Sequence, residues 1–262
     1  MRVVVLTNQK GGVGKSTLSV LLAQWLAERH RLRVGVIDLD TQANASKSLA
    51  RFGSEREAAE LFEPDGIRPM AATAAALTLF AGTKRLADLE LAKPEVILPA
   101  FRRQVAALGA DFDVIVIDTP PSLGLRMSAA LIAATHVACP IELEEYSIDG
   151  VTDMLKTIFG VQRRYNPGLR LAGLVANRFN PHSVRQRAAL HDLVAHYSEF
   201  VVPAKISTRS AIPEALAAGV PLWRLAKSSA RDAAAEVSAV FDLLKERIDG
   251  ADVPLTVQEG RE

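Results

Sequence analysis

Val3-Val4-Val5-Leu6-Thr7-Asn8-Gln9-Lys10-Gly11-Gly12-Val13-Gly14-Lys15-Ser16-Thr17 opens the chain and decides its architecture. The β-branched run Val3–Leu6 predicts a short strand, and Ser16–Arg29 carries Leu18, Leu21, Leu22, Trp25 and Leu26 at helical spacing. Between them lie three glycines. A strand that turns through glycines into a helix presents inward-pointing backbone N–H groups and the positive end of the helix, which together suit a phosphate group. With Gly11, Gly12, Val13 and Gly14 forming that turn, Lys15 is placed to reach β- and γ-phosphates. The Ser16 hydroxyl is placed to coordinate Mg²⁺, and Thr17 to hold an α-phosphate oxygen. The spacing G-x-x-x-x-G-K-[ST] is not kept, because its first glycine would fall on Gln9; a second lysine, Lys10, precedes the glycine pair instead. The plain alternative is a glycine-rich turn with no ligand, and Gly-Lys-Ser at a strand–helix junction argues against it.

Outward from this loop, apolar runs and helical patterns alternate. Strands are expected at Arg33–Asp38, Leu77–Ala81, Val114–Asp118, Val137–Ile141, Leu171–Asn177 and Val201–Ile206. Helices are expected at Leu125–Ala134, Val151–Tyr165, Ser183–Tyr197, Ile212–Ala218 and Ser229–Ile248. Strand–helix–strand repetition implies right-handed βαβ units, hence an α/β fold with a mostly parallel sheet flanked by helices on both faces; with the phosphate loop after its first strand, this resembles a P-loop NTPase-like fold. Ligands bind such sheets at the carboxyl ends of their strands. Thr41–Gly109, Ala-rich and carrying Pro64, Pro69, Pro94 and Pro99, is the least regular stretch, expected to hold several helices around one strand. No linker divides the chain, so residues 1–248 read as a single domain and 249–262 as a polar, frayed tail.

Composition narrows the class. Of 262 residues, 49% are apolar and 23% charged, outside the disordered range. A lone Cys139 excludes an internal disulfide or a multi-cysteine metal site and reads as a small core residue. No apolar run approaches the ~18 residues of a membrane span, and the start lacks a signal-peptide core, so a cytoplasmic protein is expected. His191 and His196, five apart, do not share a helix face. Trp25, Phe241, Leu244 and Ile248 fit packing stripes.

Two further strands end in acids. Val116-Ile117-Asp118-Thr119-Pro120-Pro121 places Asp118 where a water-mediated Mg²⁺ ligand is needed. Ile37-Asp38-Leu39-Asp40-Thr41-Gln42-Ala43-Asn44 would bring Asp38 and Asp40 to the same sheet edge. An acid at a strand end can also be only a helix cap; two beside a phosphate loop favour a site.

These blocks resemble the deviant Walker A ATPases, and within them the ParA-type partition proteins, over nearly all of 1–248. The resemblance rests on K-G-G-V-G-K-S-T, on D-L-D-T-Q-A-N where the family commonly has D-x-D-P-Q-G-N, and on V-I-D-T-P-P. Weaker support comes from residues 144–150, 177–179 and 211–222. What the resemblance implies is an ATP-dependent sandwich homodimer. In it Lys10 crosses to the partner's phosphates, Gly12 allows close approach, Asp40 positions the attacking water, and Asp38 helps to organise the metal. Asn177 would contact adenine, with Ser207–Arg209 beside the base. The family's ATP dimer binds double-stranded DNA without sequence preference, and a ParB-like centromere-binding protein stimulates its slow hydrolysis, giving a nucleoid-associated protein. Thr41 stands where proline is usual and Ala43 where glycine is usual, departures that bear on the conformation of this loop.

Charge distribution agrees with the DNA partner. Residues 163–231 hold eleven Lys/Arg and three Asp/Glu in a chain whose overall formal charge is +1. A basic face of that kind suits phosphate-backbone binding, although it can be merely solvated. Arg185, Arg187, Arg224, Lys227 and Arg231 are the candidates; Arg178 and Arg209 fall beside the presumed base. A MinD-like membrane-positioning ATPase would end in a basic amphipathic helix, whereas the last residues here are acidic and contain a proline, so no membrane partner is expected. One cysteine is too few for an iron–sulfur carrier. A nucleoid-based ATPase that positions a protein cargo shares the whole chemistry.

Overall fold

Strands in this chain form where β-branched residues run without interruption, because a parallel sheet is covered on both faces and every side chain of a central strand is buried. The computed structural model describes residues 1–64 and 76–250. Eight strands lie in one sheet: β1 Arg2–Leu6, β2 Val34–Asp38, β3 Gly53–Glu57, β4 Leu77–Ala81, β5 Val114–Asp118, β6 His136–Glu142, β7 Arg170–Phe179 and β8 Val201–Ser207. Their order is β3-β4-β2-β5-β1-β6-β7-β8, and each neighbouring pair is parallel. Helices α1 Lys15–Arg29, α2 Asn44–Ser48, α3 Pro94–Ala107, α4 Leu125–Ala133, α5 Ile148–Arg164, α6 Val184–Tyr197, α7 Ala211–Ala217 and α8 Ser228–Asp249 complete the described elements, with short 3₁₀ turns between.

Alternation along β1 shows how the two layers arise. Val3 and Val5 pack with residues of α3, α4, α5 and α6, while Val4 and Leu6 pack with α1, α2, α7 and α8. Trp25, Phe241 and Cys139 are fully buried. Residues 172 and 200–201 hold the end of α8: Arg247 donates to the carbonyls of Ala172, Phe200 and Val201 at 3.0, 3.1 and 2.9 Å.

The region 41–109 holds two strands rather than the one expected. β3, Gly-Ser-Glu-Arg-Glu, has no apolar pattern, because it is an edge strand that pairs only with β4, through an irregular register. Backbone pairing makes it a strand. Pro94 opens α3 and Pro99 is tolerated inside it. α8 runs one residue beyond the expected boundary at 248, and the tail expected to fray lies, from residue 251, outside the described residues.

One backbone feature carries a cost. Ala43, at the start of α2, adopts φ 53° and ψ 40°, the left-handed region that an alanine Cβ disfavours and a glycine accepts freely. Ala43→Gly is expected to raise stability by about 0.5–1 kcal/mol, the strain relieved less the added chain entropy. Urea denaturation of the two proteins measures it; equal midpoints would mean that the turn is unstrained.

Candidate active site

The sheet order puts β1, β2 and β5 side by side, so the loops leaving their carboxyl ends meet. Asp38 and Asp118 are register partners on adjacent strands, and Leu6 pairs with Asp118 on the other side. All three segments end at the phosphate loop, the shared edge that the strand-end acids predicted.

Within the loop, residues 8–15 hold one another. Asn8 Oδ1 accepts from the Lys10 N–H at 2.9 Å, and Asn8 Nδ2 donates to the Pro140 carbonyl at 2.7 Å, anchoring the loop to β6. Lys15 is nearly buried and donates from Nζ to the Lys10 carbonyl at 2.7 Å. Burial lowers its pKa, while the charges of Asp118 and Asp40 oppose that. Gly14 has φ 96°, which favours glycine, and a Cβ there would stand 2.2 Å from Asn177 Nδ2 and displace that amide. Asn177, at the end of β7, is buried and donates to the Val13 carbonyl at 2.8 Å; Arg178 donates to the Gly12 carbonyl at 3.1 Å. The candidate base contact is thus packed directly on the phosphate loop.

The acids divide the work. Asp38 is fully buried, with both oxygens engaged: Oδ1 accepts from Asp40 N–H at 3.0 Å, and Oδ2 from Ser46 N–H and Oγ at 2.8 and 2.6 Å. Burial raises its pKa, against those hydrogen bonds. In this arrangement Asp38 organises the loop carrying Asp40, which is itself close to buried and accepts from Gln42 N–H at 2.9 Å. Asp118 differs. Its Oδ1 accepts from Ser19 Oγ at 3.1 Å, but Oδ2 is buried with no hydrogen-bond partner. Burial first, then the charge of Asp38, pushes its pKa up to about 8, against Ser16, Ser19 and Lys15.

An orphaned buried carboxylate oxygen, close to the Ser16 hydroxyl, is a donor set that fits Mg²⁺. No group of three or more His, Cys, Asp or Glu among the described residues could hold a metal alone. A Mg²⁺ ion here would therefore take most of its ligands from water and phosphate, as this ion prefers.

Ser207 and Arg209 are brought together by a residue that sequence reading missed. Glu236 of α8 accepts from Ser207 N–H at 2.8 Å and from Arg209 Nη2 at 2.6 Å. These two residues, with Arg178, Asn180 and Gln186, line a cleft of about 530 Å³ beside the loop. Ser19, Ser46 and Asn8 were also missed: single hydroxyls or amides inside helices and turns give no spacing signal.

The basic candidates separate onto two sides of the sheet. Arg185 and Arg187 sit on α6, whose Leu193 packs in one layer; Arg224, Lys227 and Arg231 sit at and before the start of α8, which packs in the other. Arg224 pairs with Glu28 at 3.1 Å, Lys227 with Glu214 at 2.5 Å, and Arg187 donates to the Pro181 carbonyl at 2.6 Å.

A pH test addresses Asp118 together with its buried neighbour Asp38. With its folded pKa near 8 and an unfolded value of about 3.9, the folded state binds more protons between those limits, so stability falls as pH rises. In chelator and without nucleotide, Asp118→Asn should gain stability over the parent by up to about 1.4 kcal/mol per pH unit between pH 5 and 8, then level off. Denaturant titrations across that range check it; a constant difference would mean that Asp118 is ionised throughout.

Comparisons with known proteins agree with this geometry. The model of an AAA domain family matches residues 1–171. Protein IncC of Escherichia coli is 41% identical over 251 residues, covering 92% of this chain and 68% of its own length. The chromosome-partitioning ATPase Soj of Thermus thermophilus is 32% identical, covering 87% and 90%. Among solved structures, cobyrinic acid a,c-diamide synthase of Mycobacterium smegmatis, with bound ATP analog and magnesium, superposes with a TM-score of 0.75 at 31% identity, over 96% of this chain and 97% of that one. The likeness in fold thus extends to a protein of a different name, while of the two relatives above IncC is the more identical. The two-lysine phosphate loop, the paired acids and these relatives together make this chain a member of the ParA family of partition ATPases.

Proposed function

We propose that this chain is a Mg²⁺-dependent ATPase that closes as a sandwich homodimer around ATP and binds double-stranded DNA non-specifically in that state. It hydrolyses ATP slowly to segregate plasmid or chromosomal DNA, stimulated by a ParB-like partner. The observation that carries this reading is Lys10. It is exposed and directly precedes the glycine turn, whereas Lys15 is buried and donates to the Lys10 carbonyl. Around Gly12, which holds φ 78°, a Cβ would meet nothing within 4 Å, so this face of the loop is open to a second protomer.

Each residue then has a distinct task. Lys15 and the N–H groups of 11–17 bind phosphate oxygens in the ground state. Mg²⁺, held by Ser16 and through water by Asp118, would supply charge neutralisation at the β- and γ-phosphates. Asp40 orients the attacking water, and Asp38 keeps Asp40 in place through the hydrogen bonds described. Lys10 answers the partner's phosphates, so the catalytic set is complete only in the dimer. Asn177 and the Ser207–Arg209 loop hold the base. A cytoplasmic, nucleoid-associated location follows from DNA binding. No described helix is long and apolar enough to cross a membrane.

The lysines and Asp40 separate by experiment. Lys15→Ala should abolish ATP binding. Lys10→Ala should keep binding but lose ATP-dependent dimerisation, read by light scattering. Asp40→Ala should keep binding and dimerisation while turnover falls by about 100-fold or more, the scale of a lost acid–base or positioning group. An ATP dimer unchanged by Lys10→Ala would reduce that residue to an ordinary loop lysine.

DNA binding tests the rest. Among the described residues, Arg224 and Lys227 each make an ion pair at the surface, worth little, which phosphates can replace. Arg224→Ala with Lys227→Ala should weaken binding equally on unrelated duplexes and lower the log–log salt slope by roughly 0.9 per lost contact. Dimerisation should be unaffected. An ATP dimer without DNA affinity at low salt would sink the DNA-binding reading.

A further inference from the structure

Arg126 belongs neither to the phosphate loop nor to the strand-end acids, yet it reaches them. It is the second residue of α4, and its side chain is only 9% exposed. Nε donates to Glu90 Oε1 at 2.8 Å, and Nη1 donates to the Leu39 carbonyl at 2.9 Å. The other oxygen of Glu90 accepts from the Leu125 N–H at 2.7 Å, so one carboxylate both caps α4 and fixes the plane of the guanidinium.

Leu39 stands between Asp38 and Asp40. Its N–H donates to the Asp118 carbonyl at 2.9 Å. Its carbonyl shares a peptide plane with the Asp40 N–H, which donates to Asp38 Oδ1 at 3.0 Å. Arg126 therefore holds one edge of the peptide that carries Asp40, while Asp38 holds the other. An apolar side chain could fill the same space; only a rigid two-pronged cation joins a carboxylate on one loop to a carbonyl on another. The segment 119–124, between Asp118 and α4, connects the metal-side acid to this fork.

The geometry points to Arg126, locked by Glu90, as a positioning residue for hydrolysis: it aims Asp40 and links the Asp40 loop to the start of α4 beyond Asp118. This rests on the reading of Asp40 as the residue that orients the attacking water. Arg126→Met leaves the Glu90 cap of α4 in place and removes the bond to Leu39. In single-turnover assays with Mg-ATP it should lower kcat about tenfold or more while the Kd for ATP stays within about threefold. In an Asp40→Ala background it should have no further effect on the residual rate, because it acts through that side chain.

A parent rate in Arg126→Met overturns the proposal. So does a parallel loss of affinity and rate, or a full additional loss in the Asp40→Ala background, since either marks a structural role. If Asp40→Ala by itself keeps the parent rate, the assignment of Asp40 fails first, and the bridge has nothing to position. Should Arg126→Met not fold, Arg126→Lys decides: it keeps the charge but cannot span both acceptors, and a several-fold drop in kcat with ATP affinity retained is expected. An unchanged kcat in that variant overturns the proposal.

Discussion

Two carboxyl groups, Asp38 and Asp118, sit side by side on neighbouring strands with no exposure to solvent, and the buried Lys15 lies close by. Like charges in a low-dielectric setting repel strongly, and each group also loses hydration. Around this constraint the site is built. Asp38 is satisfied three times over by Asp40 N–H and Ser46, whereas Asp118 keeps an oxygen with no partner. The asymmetry gives one acid a fixed structural task and leaves the other with an unsatisfied oxygen, which is what the proposed Mg²⁺ site requires.

Parallel topology turns this local arrangement into a connected one. Because every strand runs the same way, the loops after β1, β2, β4, β5, β7 and β8 emerge at one edge. Ser46 of α2 accepts from the Gly82 N–H that follows β4; Arg126 of α4 touches Leu39 after β2; Asn177 of β7 touches Val13. The phosphate loop is tied to the Ser207–Arg209 segment through Arg178, which donates to the Gly12 carbonyl while its own carbonyl accepts from Thr208 Oγ1. Glu236 extends the set to α8, whose first turn neighbours the basic residues at 224–231.

The Asp40 loop holds an alanine in a backbone that suits glycine. Ala43 takes the left-handed conformation for which glycine is the usual choice, and the turn is kept by Ala43 N–H on the Asp40 carbonyl at 2.9 Å and Gln42 N–H on Asp40 Oδ1. Hydrogen bonds around Asp38 and Asp40 hold a backbone that the side chains alone would not prefer.

Sequence by itself determined the central strands, the helices that flank them and the position of the phosphate loop, because each rests on a local signal: β-branched runs, 3.6-residue periodicity, and Gly-Lys-Ser at a strand–helix junction. Placement of Asp38 and Asp118 at one edge was also legible, since parallel strands must end together. Tertiary structure decided the rest. β3 exists only because β4 offers it a partner, so its polar residues carried no signal. Ser19, Ser46, Glu90, Arg126 and Glu236 acquire their roles from residues 8 to 99 positions away in the chain, and no spacing rule reaches that far. The basic residues 185–187 and 224–231 read as one stretch, yet α6 and α8 lie on opposite faces of the sheet, because a chain that passes through an edge strand between two helices can pack them on either side.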